Sequence, residues 1–263
     1  MKTHALLRWV KVLSLWAAAA MVGACATTSD KTLAQARAHT ELAARYYEVG
    51  QVAVAVQEAQ IALKSDNAYV PAHTLLALIY AQLQQNAQAD THFRQALTLS
   101  EVQKLSTTDL RNSYAWYLCQ TERVNEGLSE LSQVLRDPLY GSMDKALVNA
   151  TVCAARAGQM DQADAYVNAA LAMRPDLGVA YLYRGHLAVR KAQFQAARND
   201  WNSAQKLLGE TPETLWLLAQ IERNEPAVRG VRSNGSGAAE RLLHSYPVSP
   251  QANWLRAGQW QWF

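Results

Sequence analysis

The tripeptide Ala38-His39-Thr40 returns 34 residues later as Ala72-His73-Thr74. Leu42, Ala43, Tyr46, Ala55, Ala62 and Leu63 return at the same spacing as Leu76, Ala77, Tyr80, Ala89, Ala96 and Leu97. Alanine is abundant here and inflates such matches, but the His and Tyr coincidences are not explained that way. A period of this length constrains the fold more tightly than composition does. Each repeat is one supersecondary unit that cannot cover its own apolar face, so successive units must stack. No alternation of apolar and polar residues persists between turn signals, which argues against strands.

In the second repeat a large residue comes early in the first helix, small residues fall where helices touch, and an aromatic residue fills the second helix: His73, Leu76, Ala77, Tyr80, then Ala89, Phe93 and Ala96. This pattern is similar to the tetratricopeptide repeat, a helix, tight turn and second helix of this length. Leu147, Thr151, Gly158, Ala163, Ala170 and Pro175 outline a fourth unit, and Tyr181, Gly185, Ala197, Trp201 and Ala204 a fifth. Between the second and fourth, a weaker unit holds Tyr114, Ala115, Leu118, Gly127 and Leu131, displaced by about four residues inserted near Glu101 to Thr107. A degenerate sixth begins near Pro212 with Leu215, Leu218 and Ala219, followed by a glycine- and serine-rich loop from Val228 to Gly237. A helix from Ala238 to Ser245 and a segment through Trp254 should cap the stack. The closing Gln259-Trp260-Gln261-Trp262-Phe263 is expected to pack on its end, with partner or membrane contact as the alternative. The fold expected is all-α: a right-handed tetratricopeptide solenoid of five to six hairpins with a free concave groove.

The start of the chain has a different character. Lys2, Arg8 and Lys11 precede an apolar stretch from Val12 to Met21 that is too short to span a bilayer, as in a cleaved export signal. The junction Val22-Gly23-Ala24-Cys25 resembles a lipobox, at which bacterial lipoprotein precursors are acylated on the cysteine and cut before it. Residues 1–24 are therefore expected to be removed, residues 25–34 to form a lipidated Cys25 and polar tether, and residues 35–263 to form the solenoid. Ala26 after the cysteine implies, by the lipoprotein sorting rule, the periplasmic face of the outer membrane. Without the three signal cations, 22 basic residues face 22 acidic ones, which counts against nucleic acid as a partner. The membrane is then reached through lipid and not through a basic patch.

The string Asn112-Ser113-Tyr114-Ala115-Trp116-Tyr117-Leu118-Cys119-Gln120 is followed by Asp137-Pro138-Leu139-Tyr140, then by Ala146-Leu147-Val148-Asn149-Ala150 and Cys153, and late in the chain by Ser245-Tyr246-Pro247. With the lipobox and the repeats, these resemble the type IV pilus biogenesis and stability lipoproteins called PilW or PilF, over nearly the whole mature chain. Ala115 stands where that family tends to have glycine, and Gly141-Ser142-Met143 where it tends to have proline. The resemblance implies a scaffold that helps secretin subunits reach the outer membrane and multimerise, or that stabilises the pilus through other assembly proteins. It also implies a disulfide between Cys119 and Cys153; two separate buried thiols are the alternative, and the α-carbon separation decides between them.

In a regular tetratricopeptide repeat the second, fifth, ninth, twelfth and thirteenth places of each first helix face the groove. Here those places supply Tyr47, Asn112, Trp116, Gln120, Arg156, His186 and Arg190 among others, a mixture of aromatic, amide and cationic groups suited to gripping a peptide. His39 and His73, recurring at the repeat period, read as structural copies and not metal ligands. No zinc-spaced His or Cys set, phosphate loop or nucleophile elbow occurs, so binding without cofactor, metal or catalysis is expected. A periplasmic adaptor for cell-wall hydrolases or other envelope machinery is the competing function; such generic adaptors lack the tyrosine-to-cysteine string.

Overall fold

The computed structural model describes residues 30–225 and 237–260. All of its regular structure is helical. Helix α1 (30–48) pairs with α2 (Val52–Ser65), and α3 (Val70–Gln82) with α4 (Asn86–Val102). Then come α5 (Thr108–Gln120), α6 (Val124–Val134), α7 (Met143–Arg156), α8 (Met160–Met173), α9 (Gly178–Arg190) and α10 (Phe194–Leu208). Helices α11 (Pro212–Asn224), α12 (Ala238–Ser245) and α13 (Pro250–Arg256) follow. The chain divides into two compact units, one ending at Leu110 and one beginning at Arg111. Residues 30–34, expected in the tether, are already helical. Leu33, Ala34 and Gln35 are good helix formers, and Ala36 is fully buried, so the helix extends outward from its first packed residue. The loop expected from Val228 lies outside the described residues except for Gly237.

Each hairpin turn has the same backbone device. The residue at the bend takes a positive φ: Gly50, Gln84, Glu122, Gly158 and Ala192. The amide of the next residue then reaches back five positions, as Gln51 N–H to Tyr46 O at 2.8 Å and Gln193 N–H to Ala188 O at 2.8 Å. This closes the first helix with a Schellman turn and points the chain back along it. Only two of the five positions carry the glycine that this conformation favours.

Small residues let the paired helices approach. Ala55, Ala89, Ala163 and Ala197, at one register of the second helices, are completely buried, and Phe93, Val167 and other larger residues fill the space beside them. In the first unit Ala36, Ala62 and Ala72 meet from three successive helices, as do Ala43, Ala59 and Leu76. A polar pair staples several hairpins at one register: His39 to Glu58 at 2.6 Å, His73 to His92 at 2.9 Å, and Arg111 to Glu130 at 2.6 Å, each 19 residues apart. His39 and His73 are thus equivalent members of one repeated contact.

The second unit ends in an aromatic cap. Thr211 and Thr214 form a reciprocal capping box at the start of α11, with a proline at the first helical position. From that helix Trp216 packs against Trp254 of α13 at 5.8 Å between ring centres and stacks on Trp260 at 5.1 Å. The Arg223 guanidinium lies 4.1 Å from the Trp260 ring centre. Trp260 accordingly packs on the end of the stack, as expected of this aromatic terminus; Trp262 and Phe263 lie outside the described residues.

Candidate partner-binding site

In the second unit the first helices α5, α9 and α11, with the capping helix α13, enclose a cleft of about 280 Å³. Its walls include Trp116 and Gln120 from α5, Val179, Leu182, Tyr183 and His186 from α9, Glu213 and Trp216 from α11, and Gln251 and Trp254 from α13. Three of the sequence-derived groove residues, Trp116, Gln120 and His186, therefore share one site. His186 is buried, and its Nδ1 lies 2.7 Å from Gln220 Oε1, so it shapes the wall with its bonding already committed within the protein. Burial lowers its pKa to about 4, against a smaller opposing effect of the Gln220 hydrogen bond, which leaves the ring neutral at physiological pH.

The other four are placed differently. Arg156 donates to the Cys119 carbonyl at 2.8 Å and to Gln120 Oε1 at 3.2 Å, and Arg190 donates to the Ala155 carbonyl at 3.0 Å. Each guanidinium thus ties the end of its helix to the end of the preceding first helix, where carbonyls lack intrahelical partners. Asn112 accepts from Asn149 at 3.0 Å, another bond between successive first helices. Tyr47 belongs to the first unit, where its hydroxyl donates to Gln82 Oε1.

Glu213 is the acidic residue of the cleft. Its Oε1 accepts from Gln251 Nε2 at 3.2 Å, while Gln251 Oε1 is buried and has no partner among the described residues. Burial raises the Tyr183 pKa and the Glu213 carboxylate raises it further, against a smaller lowering by the Arg156 charge. Val179 and Leu182 stand at the second and fifth of the groove-facing places in α9, and Glu213 and Trp216 stand there once the register is carried into the degenerate sixth unit. That signal was available in the sequence. Gln251 and Trp254 come from α13, which has no repeat register from which to place them.

Cys119 and Cys153 sit behind this surface, joined as a disulfide with α-carbons 5.4 Å apart. Gly127, at the register occupied elsewhere by Ala55, Ala89, Ala163 and Ala197, leaves room for it. A β-carbon there would meet Cys119 Sγ at 2.5 Å, the Ala115 carbonyl oxygen at 3.0 Å and Cys153 Sγ at 3.3 Å. Cys25 lies outside the described residues. Among the described residues no group of three His, Cys, Asp or Glu is arranged to hold a metal ion, and no helix is long and apolar enough to cross a membrane.

A tetratricopeptide-repeat family model matches residues 70–103, the α3–α4 hairpin. A crystal structure of PilW, described as a widely conserved type IV pilus biogenesis factor, superimposes with a TM-score of 0.72 at 25% identity, covering 84% of this chain and 98% of that one. This is a tetratricopeptide-repeat protein similar to PilW. The solved structure of Pseudomonas aeruginosa PilF shares the tetratricopeptide fold, with a TM-score of 0.67 at 20% identity over 87% of this chain and all of that one. An uncharacterised Haemophilus influenzae protein is 27% identical over 141 residues, which is 52% of this chain and 76% of that protein. The tetratricopeptide architecture is a protein-interaction scaffold, and the concave cleft of the second unit is where its aromatic and polar side chains converge.

Proposed function

We propose that this chain serves type IV pilus biogenesis as a scaffold tethered to the periplasmic face of the outer membrane through lipid on Cys25, where it helps secretin subunits localise and multimerise. The observation that carries this reading is the likeness to PilW over 98% of that chain at 25% identity, which extends well past the one hairpin that the general repeat model matches. A stack of hairpins alone would suit many partners. The tyrosine-to-cysteine string makes the likeness specific, because it supplies Trp116 and Gln120 of the cleft and Cys119 of the bridge in one helix.

The division of labour is physical. Acyl chains supply the address, and two or more of them anchor far more firmly than one. The helical stack supplies the grip, and no bond of the partner is made or broken. The test compares outer-membrane secretin multimers and surface pili in cells with and without the gene, complemented by wild type or by Cys25→Ala. Multimers restored only by the wild type support the proposal. Normal multimers and pili in the deletion sink it and favour the cell-wall adaptor.

A further inference from the structure

We propose that the cleft of the second unit takes the cationic side chain of a peptide, arginine or lysine, held between indole faces and paired with Glu213; this rests on the reading of the chain as a peptide-binding scaffold. The walls offer acceptors and π faces. Glu213 is a carboxylate, an acceptor only, and Gln251 of the same wall keeps a buried amide oxygen with no donor among the described residues. A buried acceptor without a donor is costly, and a guanidinium or ammonium supplies the missing N–H. Trp116, Tyr183, Trp216 and Trp254 line the same space, and aromatic faces attract cations that lose water among them. The aromatic cluster already practises this chemistry, since Arg223 lies over Trp260, which itself stacks on Trp216.

Among the described residues, no lysine or arginine belongs to the cleft wall to neutralise Glu213. His186 carries no charge near neutral pH, because burial lowers its pKa to about 4. Arg156, beside the Gln120 wall, directs Nη1 to the Cys119 carbonyl and Nη2 to the Gln120 amide oxygen, and its charge acts on Tyr183 of the wall and not on Glu213. The volume of about 280 Å³ suits an inserted side chain and not a folded element. Insertion of one long cation would leave the flanking backbone of the peptide along the groove.

The experiment titrates the full chain with a capped heptapeptide bearing arginine at its centre among leucine and alanine, and with counterparts bearing lysine, glutamine, leucine or glutamate there, following tryptophan fluorescence. The arginine and lysine peptides should bind at least about tenfold more tightly than the glutamine peptide. Glu213→Gln should shrink that margin to within about threefold, whereas Glu48→Gln, on the first unit, leaves it intact. The wild-type comparison of arginine with leucine needs no variant, so a misfolded Glu213→Gln does not protect the proposal. Tighter binding of the leucine or the glutamate peptide overturns it, as does failure of every probe to bind. A comparable rise for all probes on removing residues 261–263 also overturns it and assigns the cleft to the chain's own end. Pili and secretin multimers are scored separately: a cation-blind cleft with pili lost in the deletion defeats only this inference, and a discriminating cleft with normal pili defeats only the pilus reading.

Discussion

In the first unit methyl groups pack together between helices: Ala36 with Ala62 and Ala72, and Ala43 with Ala59. In the second unit one such approach is replaced by a covalent bond, with Cys119 and Cys153 bridged over Gly127. Arg156 and Arg190 add bonds from one first helix to the carbonyl end of the previous one. The first unit repeats itself closely and is held by interchangeable contacts. The second departs from the repeat at particular residues, of which Cys119 precedes and Arg156 hydrogen-bonds Gln120 of the cleft wall. Regularity builds the scaffold, while the exceptions lock one segment of it beside the proposed peptide cleft.

Breaking the lock is the strongest test of that contrast. Replacing Cys119 and Cys153 by alanine, or reducing the bridge, should destabilise the second unit by about 2 to 4 kcal/mol and leave the first nearly unchanged. The two are separable by experiment, because in a chain starting at residue 25 every tryptophan lies beyond Arg111 and fluorescence melts report on the second unit. Amide exchange on α3 then reports the first. Equal losses in both would break the comparison.

Acid should also single out the second unit. The folded-state pKa of His186 lies near 4, below the ordinary value of 6.5, so protons bind the unfolded chain first. Its contribution is intact above about pH 6.5, falls by up to about 1.4 kcal/mol per pH unit as the pH drops toward 4, and levels off below that. Denaturant midpoints from pH 7.5 to 4 should show this slope, and His186→Gln should flatten it. His92 in the first unit, lowered to about 4 by burial and by the neighbouring His73, shifts in the same direction but is only half buried. A steeper acid response in the first unit would reverse the expected order.

Gly127→Ala sharpens the comparison further. With the bridge present the added methyl should cost about 1 to 3 kcal/mol, because it meets Cys119 Sγ and the Ala115 carbonyl oxygen. In the Cys119→Ala, Cys153→Ala background the penalty should vanish or change sign, since alanine favours a helix interior over glycine by about 1 kcal/mol. A thermodynamic cycle over the four proteins measures the coupling, and an additive result would separate the glycine from the bridge. The smallest effect expected is common to both units: Gln84→Gly and Ala192→Gly, at positive-φ bends, should each stabilise by about 0.5 to 1 kcal/mol in thermal melts. A gain in one unit only would show that the turns are not equivalent.

The chain's local pattern carried most of the architecture. Period and turn signals placed the hairpins, including the displaced α5–α6 pair and the short α12, because each helix is selected by contacts with its neighbours in sequence. Trp116, Gln120 and His186 were legible as one surface for the same reason. Other roles escaped that logic. Arg156 and Arg190 carry a role that register alone does not show, since each donates to a carbonyl at the end of the preceding first helix. The purpose of Gly127 is invisible until two sulfur atoms from different repeats stand beside it.

Sequence by itself determined the helical hairpin, its period and the chemistry of its contact face, since these follow from residues a few turns apart. Tertiary structure alone decided which acceptor each arginine meets, that Gln251 and Trp254 from an unregistered helix complete the cleft, and which buried amide oxygen has no donor among the described residues. Those outcomes depend on distances between residues remote along the chain, where small changes in helix approach decide whether a hydrogen bond forms.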